Sequence, residues 1–347
     1  MLTRRDFLAA SLGLAALPLW AGKDEGPTIL SAAWRGSQGW CAGTLARAEI
    51  ELPKRAHVLL PDPTRRGQAI VVARRPGYYL ARIDWQRGKL LQLFELEDDR
   101  NLVGHAVFSP DGRHLITAET DERSGEGRLA IRDARTLKRL ADRPSHGVGP
   151  HEILWLDDVT LAVANGGILT LPETGRYKRN IARMDPSLVT IDWRDGSLLA
   201  EYRLADPQLS IRHLALTADG TVGAALQNEG STSAPLLALL RKGEFKLANT
   251  PSELAQAMHG YAASLSALGN RFLLSCPQGQ LLTEWDSQGQ LTARQALPRV
   301  FGTAAIAGEW LASGEGGELW RLEPGTLALR ESRRYPGIAW DNHLTVI

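Results

Sequence analysis

The stretch His105-Ala-Val-Phe-Ser-Pro-Asp-Gly-Arg-His-Leu-Ile-Thr-Ala-Glu119 contains a short apolar strand, an Asp-Gly turn and a second apolar strand. The stretch His213-Leu-Ala-Leu-Thr-Ala-Asp-Gly-Thr-Val-Gly-Ala-Ala-Leu-Gln227 repeats this arrangement. Asp-Gly between alternating apolar runs indicates a β-hairpin, because both turn residues accept a positive φ. The chain therefore contains at least two copies of one hairpin.

A second hairpin accompanies the first in each repeat. Arg82-Ile-Asp-Trp-Gln-Arg-Gly-Lys-Leu-Leu-Gln-Leu-Phe94 and Thr190-Ile-Asp-Trp-Arg-Asp-Gly-Ser-Leu-Leu-Ala-Glu-Tyr202 are two clear copies, and weaker ones begin at Ile131, Glu284 and Leu319. Two hairpins make a unit of four short strands. The pattern predicts that this unit is the building block of the fold.

The units recur with a period in the forties. Their first strands are predicted to begin at His57, His105, His151, His213, His259, Phe301 and His343. A polar insertion from Glu173 to Pro186 accounts for the one longer unit. Four strands at this period are typical of a β-propeller, whereas a β-sandwich with irregular strands would not keep the phase. The sequence predicts an all-β, seven-bladed β-propeller of four-stranded antiparallel blades.

The two ends of the chain are predicted to share one blade. His343-Leu-Thr-Val-Ile347 has the pattern of a first strand, but the chain then stops. The missing second strand is found at the other end, in Thr28-Ile-Leu-Ser-Ala-Ala-Trp34. Pairing these strands would close the ring and cover strand edges that are otherwise exposed.

The N-terminus has the features of an export signal. Thr3-Arg4-Arg5-Asp6-Phe7-Leu8 fits the twin-arginine pattern, and the apolar run from Leu8 to Trp20 has the length of a signal-peptide core. The alternative is an N-terminal helix that happens to contain two arginines. We expect residues 1–21 to be a cleaved twin-arginine signal and residues 22–347 to form a single propeller domain. Such signals are addresses rather than anchors, so we expect a soluble periplasmic protein.

Charge and cysteine content exclude several classes of partner. Without the signal, basic and acidic side chains balance at 38 each, which gives no indication of binding to nucleic acid or to an anionic membrane. We expect a monomer. Cys41 and Cys276 are the only cysteines and fall in non-adjacent units, so two buried free thiols are favoured over a disulfide.

Aligning the seven units with one another places polar side chains at one mouth of the central channel. Six of the eight histidines begin a first strand, and the second strand of each unit returns to the same face. The predicted ligand-binding residues are His57, His105, His151, His213, His259, His343, Glu119, Asn165, Arg74, Arg35, Asn228 and Glu315. Convergent polar groups in a concave site are the usual marks of a binding site.

Three interpretations of the histidines stay open: structural donors copied by duplication, a ligand or metal site, and a catalytic site. No catalytic residue can be assigned. A metal needs three or four donors around one point, and a subset of His105, His151, His213 and Glu119 is the candidate set of ligands. The cofactor is undetermined, with a metal or haem as the candidates. Unperturbed imidazoles titrate near pH 6.5, so mild acid would add charge to this mouth.

Several motifs carry a family resemblance. Gly149-Pro-His-Glu152 resembles the corresponding segment of lactonase-type and surface-layer propellers. Together with Thr3-Arg4-Arg5-Asp6-Phe7-Leu8 and the ending Trp340-Asp341-Asn342-His343, it resembles an exported propeller family, domain of unknown function 1513. The resemblance implies a setting beside imelysin-like proteins and di-haem oxidoreductases, hence iron-acquisition components as periplasmic partners.

Three functional hypotheses follow. The first is a non-enzymatic periplasmic binding or scaffold propeller, accessory to iron or haem handling, with the histidine-rich mouth as its ligand site. The second is a lactonase-like hydrolase in which a histidine or glutamate at the mouth is the general base. The third is a protein-interaction platform whose histidines are only structural. Propellers host all three classes, so the fold does not choose among them.

Overall fold

The computed structural model describes residues 27–170 and 178–347, which form seven antiparallel sheets. The predicted signal of residues 1–21 lies outside this part of the chain. Six sheets are consecutive four-stranded blades, and the remaining sheet joins the two ends of the described chain. The fold is a seven-bladed all-β propeller, as the repeat predicts.

The blade shared by the two ends is blade 1, and the others are numbered along the chain. Blade 1 contains β1 (Ile29–Arg35), β2 (Gly39–Thr44), β3 (Arg47–Glu51), β28 (Ile338–Trp340) and β29 (Thr345–Val346). Blade 2 contains β4 (Ala56–Pro61), β5 (Gln68–Ala73), β6 (Tyr79–Asp84) and β7 (Lys89–Glu95). Blade 3 contains β8 (Arg100–Phe108), β9 (His114–Asp121), β10 (Glu126–Asp133) and β11 (Arg139–Val148). Blade 4 contains β12 (Pro150–Trp155), β13 (Thr160–Asn165), β14 (Ser187–Asp192) and β15 (Leu198–Tyr202).

The remaining blades follow the same order. Blade 5 contains β16 (Leu209–Leu216), β17 (Val222–Asn228), β18 (Leu237–Arg241) and β19 (Glu244–Leu247). Blade 6 contains β20 (Ser264–Leu268), β21 (Arg271–Cys276), β22 (Leu281–Asp286) and β23 (Leu291–Ala296). Blade 7 contains β24 (Val300–Ile306), β25 (Glu309–Gly314), β26 (Glu318–Leu322) and β27 (Leu329–Arg334). An α-helix, α1 (Ser252–Ala257), precedes blade 6, and short 3-10 turns occupy Gly36–Gln38 and Ile181–Arg183.

The repeated Asp-Gly turns have equivalent hydrogen bonds as well as similar sequences. In blade 3 the hydroxyl of Ser109 donates to the carboxylate of Asp111 over 2.6 Å, and Gly112 has a φ of 68°. In blade 5 the hydroxyl of Thr217 donates to Asp219 over the same distance. A carboxylate held in this way accepts backbone N–H groups of its own turn and stabilises it.

The innermost strands surround the central channel. β4, β8, β12, β16, β20 and β24 each contact the next one in this order, and β29 contacts both β24 and β4. The first residues of each consecutive blade therefore lie next to the axis of the ring.

The C-terminal strand closes the ring, as predicted. Ile29 pairs with Val346 and Ala33 with Trp340, so β1 is flanked by β28 and β29. The innermost strand of blade 1 begins earlier than predicted, at Ile338, and is interrupted before Thr345. This interruption contains His343, which matters for the channel.

Large side chains fill the spaces between blades. Trp285 and Trp310 are fully buried, and the indole Nε1 of Trp310 donates to Glu284 over 2.6 Å. The buried guanidinium of Arg132 bonds Glu119 in blade 3 and Glu97 in the connection between blades 2 and 3. Aromatic wedges and paired charges thus hold neighbouring sheets in place.

Both cysteines are buried free thiols. Burial raises the pKa of Cys41 to about 11 and also raises the pKa of Cys276. In the described residues, no helix has the length and apolar character needed to cross a membrane. Residues 178–186, the described part of the predicted insertion, lie outside the sheets.

Candidate metal centre

A cluster of five imidazoles lies in the channel, and each comes from an interruption in an innermost strand. The pairing between the first two strands breaks around His57, His105, His151 and His213 in blades 2 to 5. A β-bulge leaves a residue out of the ladder and re-aims its side chain. His343 lies in the gap between β28 and β29. We call these five residues the histidine cluster.

The rings of the cluster are packed against one another. The centroids of the His57 and His343 rings are 4.4 Å apart, and those of His151 and His213 are 4.8 Å apart. His105 is within 5.4 Å of the rings of His57, His151, His213 and His343. The five imidazoles therefore form a single contact group.

Two trios of these residues have the spacing of a metal site. The ligand nitrogens of His57, His105 and His151 lie within 4.8 Å of one another, as do those of His105, His213 and His343. An ion bound by imidazoles at about 2.0–2.1 Å needs its nitrogens roughly 3–3.5 Å apart. A bound ion would therefore draw the nitrogens of a trio closer together, and His105 belongs to both trios.

Two carboxylates orient the rings. Nδ1 of His57 is 2.9 Å from Asp341, and Nδ1 of His213 is 3.1 Å from Glu152. The other oxygen of Glu152 is 3.8 Å from Nδ1 of His105. An ionised carboxylate only accepts, so next to Asp341 it is Nδ1 of His57 that carries the proton, and Nε2 of His57 keeps its lone pair. This is the carboxylate–histidine pairing that commonly supports metal ligands.

Four of the five imidazoles are held in the uncharged state. Burial lowers the pKa of His57 to about 4, although the hydrogen bond to Asp341 acts in the opposite direction. Burial, followed by the charge of neighbouring imidazoles, lowers the pKa of His105, His151 and His343 well below the usual value. Neutral imidazole is the form that binds metals, so no proton has to leave these rings at neutral pH.

One ring nitrogen of the cluster has incomplete hydrogen bonding. Nε2 of His105 is buried and has no hydrogen-bond partner among the described residues, whereas Nε2 of His57 and Nε2 of His343 are 3.2 Å apart and form a hydrogen bond with each other. Buried polar atoms normally have a partner, and a bound cation would provide one for Nε2 of His105.

Asp341 remains ionised in spite of its burial. Burial alone would raise its pKa, but the hydrogen bond from His57 and the positive charges of Arg55 and Arg74 hold the pKa below its usual range. Nε of Arg55 is 2.5 Å from the second carboxylate oxygen. The carboxylate therefore keeps a fixed acceptor beside the cluster.

A small cavity opens above the cluster. Its volume is about 200 Å³. It is lined by His57, Arg74, Arg75, Val103, His151, Lys178, Arg212, His213, Gln227, Tyr261 and Asn342. Nε of Arg212 is buried and has no hydrogen-bond partner among the described residues. Burial lowers the pKa of Arg212, and Glu229 and Tyr261 act against that shift.

The channel gathers five of the six predicted histidines and Arg74. His259 is a correction: it lies in an exposed turn between α1 and β20, with a φ of 51°. The helix takes up residues that the repeat assigned to a strand, so β20 begins only at Ser264. Blade 6 consequently presents buried Ala262 and Ala263 before its innermost strand.

Glu119 and Asn165 are at the predicted strand ends, but their side chains form hydrogen bonds with neighbouring residues of the blades rather than with the histidine cluster. The Glu119 carboxylate accepts from Arg132 over 2.8 Å and from the hydroxyl of Thr117. A buried guanidinium needs this counter-charge, so Glu119 is not a ligand in either imidazole trio. Nδ2 of Asn165 donates to the carbonyl of Ser145 and secures the preceding segment.

Arg35, Asn228 and Glu315 also lie apart from the cluster. Arg35 is 3.6 Å from Glu49, and Asn228 accepts from the N–H of Gly230 in its own turn. Glu315 forms an ion pair with Arg299 at a separate small cavity. Their strands end near the mouth, but their polar groups interact with neighbouring residues instead of the cluster.

Sequence reasoning missed several residues of the site. Glu152 and Asp341 occur in two of the three motifs that carry the family resemblance, but no role was predicted for them or for Arg212. Each lies one or two residues from a histidine of the cluster, in the irregular part of an innermost strand. A polar residue beside each channel histidine is the signal that would have indicated them.

The donor set favours a transition metal. Imidazole nitrogen suits zinc, copper, iron and nickel, whereas calcium and magnesium prefer oxygen ligands. His57, His105, His151, His213 and His343 would be the candidate ligands, with Asp341 and Glu152 fixing the rings. Such a site can hold a cation without any further group.

Solved structures with a similar fold come from unrelated systems. A structure of U3-55K matches with a TM-score of 0.59 at 11% identity, covering 83% of this chain and 84% of that one. A chain of hydrazine synthase from Kuenenia stuttgartiensis matches with a TM-score of 0.58 at 11% identity, over 86% and 96%. A chain of the mitotic checkpoint complex gives 0.58 at 11% identity, over 92% and 85%. At this identity the similarity shows the fold alone.

No curated protein matches the sequence. A family profile does match, over residues 50–347, and its description is "Protein of unknown function (DUF1513)". The match covers most of the chain, including all residues of the histidine cluster. The chain therefore belongs to the DUF1513 family, and its structure is a seven-bladed propeller.

Proposed function

We propose that this propeller is a non-enzymatic periplasmic binding protein whose channel holds one transition-metal ion. The packing of five imidazoles against one another, of which burial keeps His57, His105, His151 and His343 neutral, supports this most strongly. Structural donors would be expected to bond neighbouring loops. Here Nε2 of His105 has no such partner among the described residues.

An ion fits better than haem. The cavity above the cluster measures about 200 Å³, whereas sites for larger organic ligands usually measure roughly 300–1,000 Å³. If the protein has a role in iron handling, we therefore propose that it binds the iron ion itself rather than haem. Copper and zinc bind imidazole more tightly than ferrous iron does, so selection of iron would depend on which metal is supplied.

Export in the folded state suits such a site. A twin-arginine signal at residues 1–21 would carry the propeller after it has folded, and an ion could be inserted before export. The test is fractionation of cells that produce the full chain. Replacing Arg4 and Arg5 by lysine should retain the protein in the cytoplasm, and unchanged periplasmic yield would contradict this part of the proposal.

Metal analysis tests the binding itself. Protein purified from the periplasm should contain close to one metal ion per chain, and the stripped protein should bind ferrous iron, copper(II) or zinc in calorimetry. His105→Gln removes a ligand from both trios and should weaken binding at least tenfold. His259→Gln, at an exposed histidine outside the cluster, is the matched control. A metal-free protein that ignores all these ions and haem would overturn the proposal.

A further inference from the structure

Arg212 is a buried cation without a hydrogen-bond partner in the described part of the chain. Its exposed fraction is 3%, and it precedes His213 in the irregular part of β16. Its Nε is sealed from solvent and has no hydrogen-bond partner among the described residues. Burial of an unpaired charge is unfavourable unless an opposite charge is bound.

The nearest carboxylate is already engaged. Glu229 attracts Arg212 electrostatically, but an oxygen of Glu229 is 2.5 Å from Nζ of Lys178. Arg212 therefore receives only part of the compensation that a direct ion pair would provide. The remaining requirement is an acceptor inside the cavity.

The lining of the cavity has basic side chains but no acidic one among the described residues. Four of its lining residues are cations, namely Arg74, Arg75, Lys178 and Arg212, and no described residue of the lining is acidic. Cations in a concave, low-dielectric site raise the local concentration of anions. At about 200 Å³ the cavity admits only a small molecule.

We propose that this cavity binds a small oxyanion, either a carboxylate or a phosphate, on the guanidinium of Arg212. The planar guanidinium matches two oxygens of such a group. His151 and His213 line the same cavity, so an anion held there also faces the histidine cluster. The site rests on Arg212 and exists with or without a metal.

Coupling to the metal deepens the proposed function and rests on it. An oxyanion between Arg212 and the cluster supplies an oxygen ligand and a negative charge to the ion. Anion and metal should then each strengthen the binding of the other by the same factor. The ion would be bound together with a small anion, as a ternary complex.

The test is calorimetry on the metal-free mature chain at low salt, with phosphate, oxalate and acetate as separate probes. We expect one site for phosphate or oxalate, and the comparison of probes assigns the anion to phosphate or carboxylate. Arg212→Met should weaken binding at least tenfold, and Arg212→Lys should weaken it less because the charge remains. Arg113→Met, at an exposed arginine, should change nothing.

Thermal melting is a second measurement, which distinguishes loss of anion binding from misfolding of the variant. Because Arg212→Met removes an unpaired buried charge, the anion-free variant should melt at or above the wild-type temperature. Phosphate or oxalate should raise the melting temperature of the wild type only. Absence of anion binding by the wild type, or equal binding by Arg212→Met, would overturn the proposal.

The two proposals fail separately. Anion binding without any metal binding would refute the metal site and leave the oxyanion site standing. If the protein binds a metal but binds no oxyanion, either in the presence or in the absence of that metal, the oxyanion site is refuted and the metal site stands.

Discussion

Nδ1 of His57 lies 2.9 Å from the carboxylate of Asp341, although 284 residues separate them in the chain. The contact joins the innermost strand of blade 2 to the segment that closes blade 1. It links the closure of the ring to the orientation of a channel imidazole. A single substitution should therefore affect the site and the closure together.

Asp341→Asn should reduce metal affinity by about ten- to a hundredfold, as is typical for loss of a carboxylate behind a metal-bound histidine. The amide no longer carries the charge that fixes the Nδ1 proton of His57 and pairs with Arg55. Calorimetry with zinc measures the change. Asp98→Asn, at an exposed carboxylate without hydrogen bonds from the described residues, is the control, and equal dissociation constants would contradict the orienting role.

Gly104→Ala should disturb the cluster without touching a ligand. A Cβ at Gly104 would lie 2.5 Å from Cδ2 of His57, so the ring must move. Gly308→Ala is the matched control, because Gly308 also has a positive φ but no atom within 4 Å of a Cβ. Both variants should lose some thermal stability, but only Gly104→Ala should weaken metal binding. The same loss of metal affinity in both would contradict the packing argument.

Arg132→Met should lower the free energy of unfolding by about 3–5 kcal/mol, because it leaves the buried carboxylate of Glu119 unpaired. Arg132 and Glu119 are both fully buried and 2.8 Å apart. The double variant Arg132→Met/Glu119→Gln should recover part of the loss. Urea unfolding measures the difference, with the exposed pair of Lys246 and Glu244 as the control. A loss below about 1 kcal/mol would show that the pair contributes little.

Acid should destabilise the metal-free protein between about pH 6.5 and 4. The pKa of His57 is lowered to about 4 in the folded state, so the unfolded chain binds more protons in this interval. Stability is therefore full above the unfolded pKa and falls as the pH decreases, by at most about 1.4 kcal/mol per pH unit for each such imidazole. Urea midpoints at pH 7.5, 6 and 5 measure the slope. His57→Gln should flatten it, and equal midpoints for the wild type at pH 7.5 and 5 would contradict the buried neutral state.

Deleting residues 343–347 should lower the melting temperature by several degrees or more. The deletion removes β29, which pairs with Ile29 and Leu30, and the hydrogen bond from Thr345 to the carbonyl of Leu59. His343→Gln in the full chain separates loss of the imidazole from loss of the strand, and it should melt close to the wild type. A wild-type melting temperature for the deletion would contradict closure through this strand.

The fold could be predicted because its repeat is visible in single residues. His105 and His213 begin two copies of the same hairpin, and Asp111 and Asp219 accept equivalent hydrogen bonds in the two turns. Blade 6 departs from this phase because α1 precedes its innermost strand. The helix adds residues without changing the spacing between units. Counting residues therefore placed His259 at the start of an innermost strand, where it does not lie.

The site could be predicted only in part. The repeat phase brings together the histidines, because it determines which residues begin innermost strands. It does not determine which carboxylate turns toward them. Glu119 turns to Arg132, whereas Glu152 reaches His213 from within a register break. Side-chain direction at such breaks depends on local backbone geometry, which residue spacing does not encode.

The position of the bound ion is the decisive observation for the metal site. A crystal of the protein loaded with zinc or copper should show one anomalous peak in the channel, about 2.0–2.2 Å from the nitrogens of at least three histidines including His105. The same crystals of His105→Gln should show a weaker peak or none. A loaded protein whose ion lies elsewhere, with the five imidazoles uncoordinated, would contradict a metal centre in the histidine cluster.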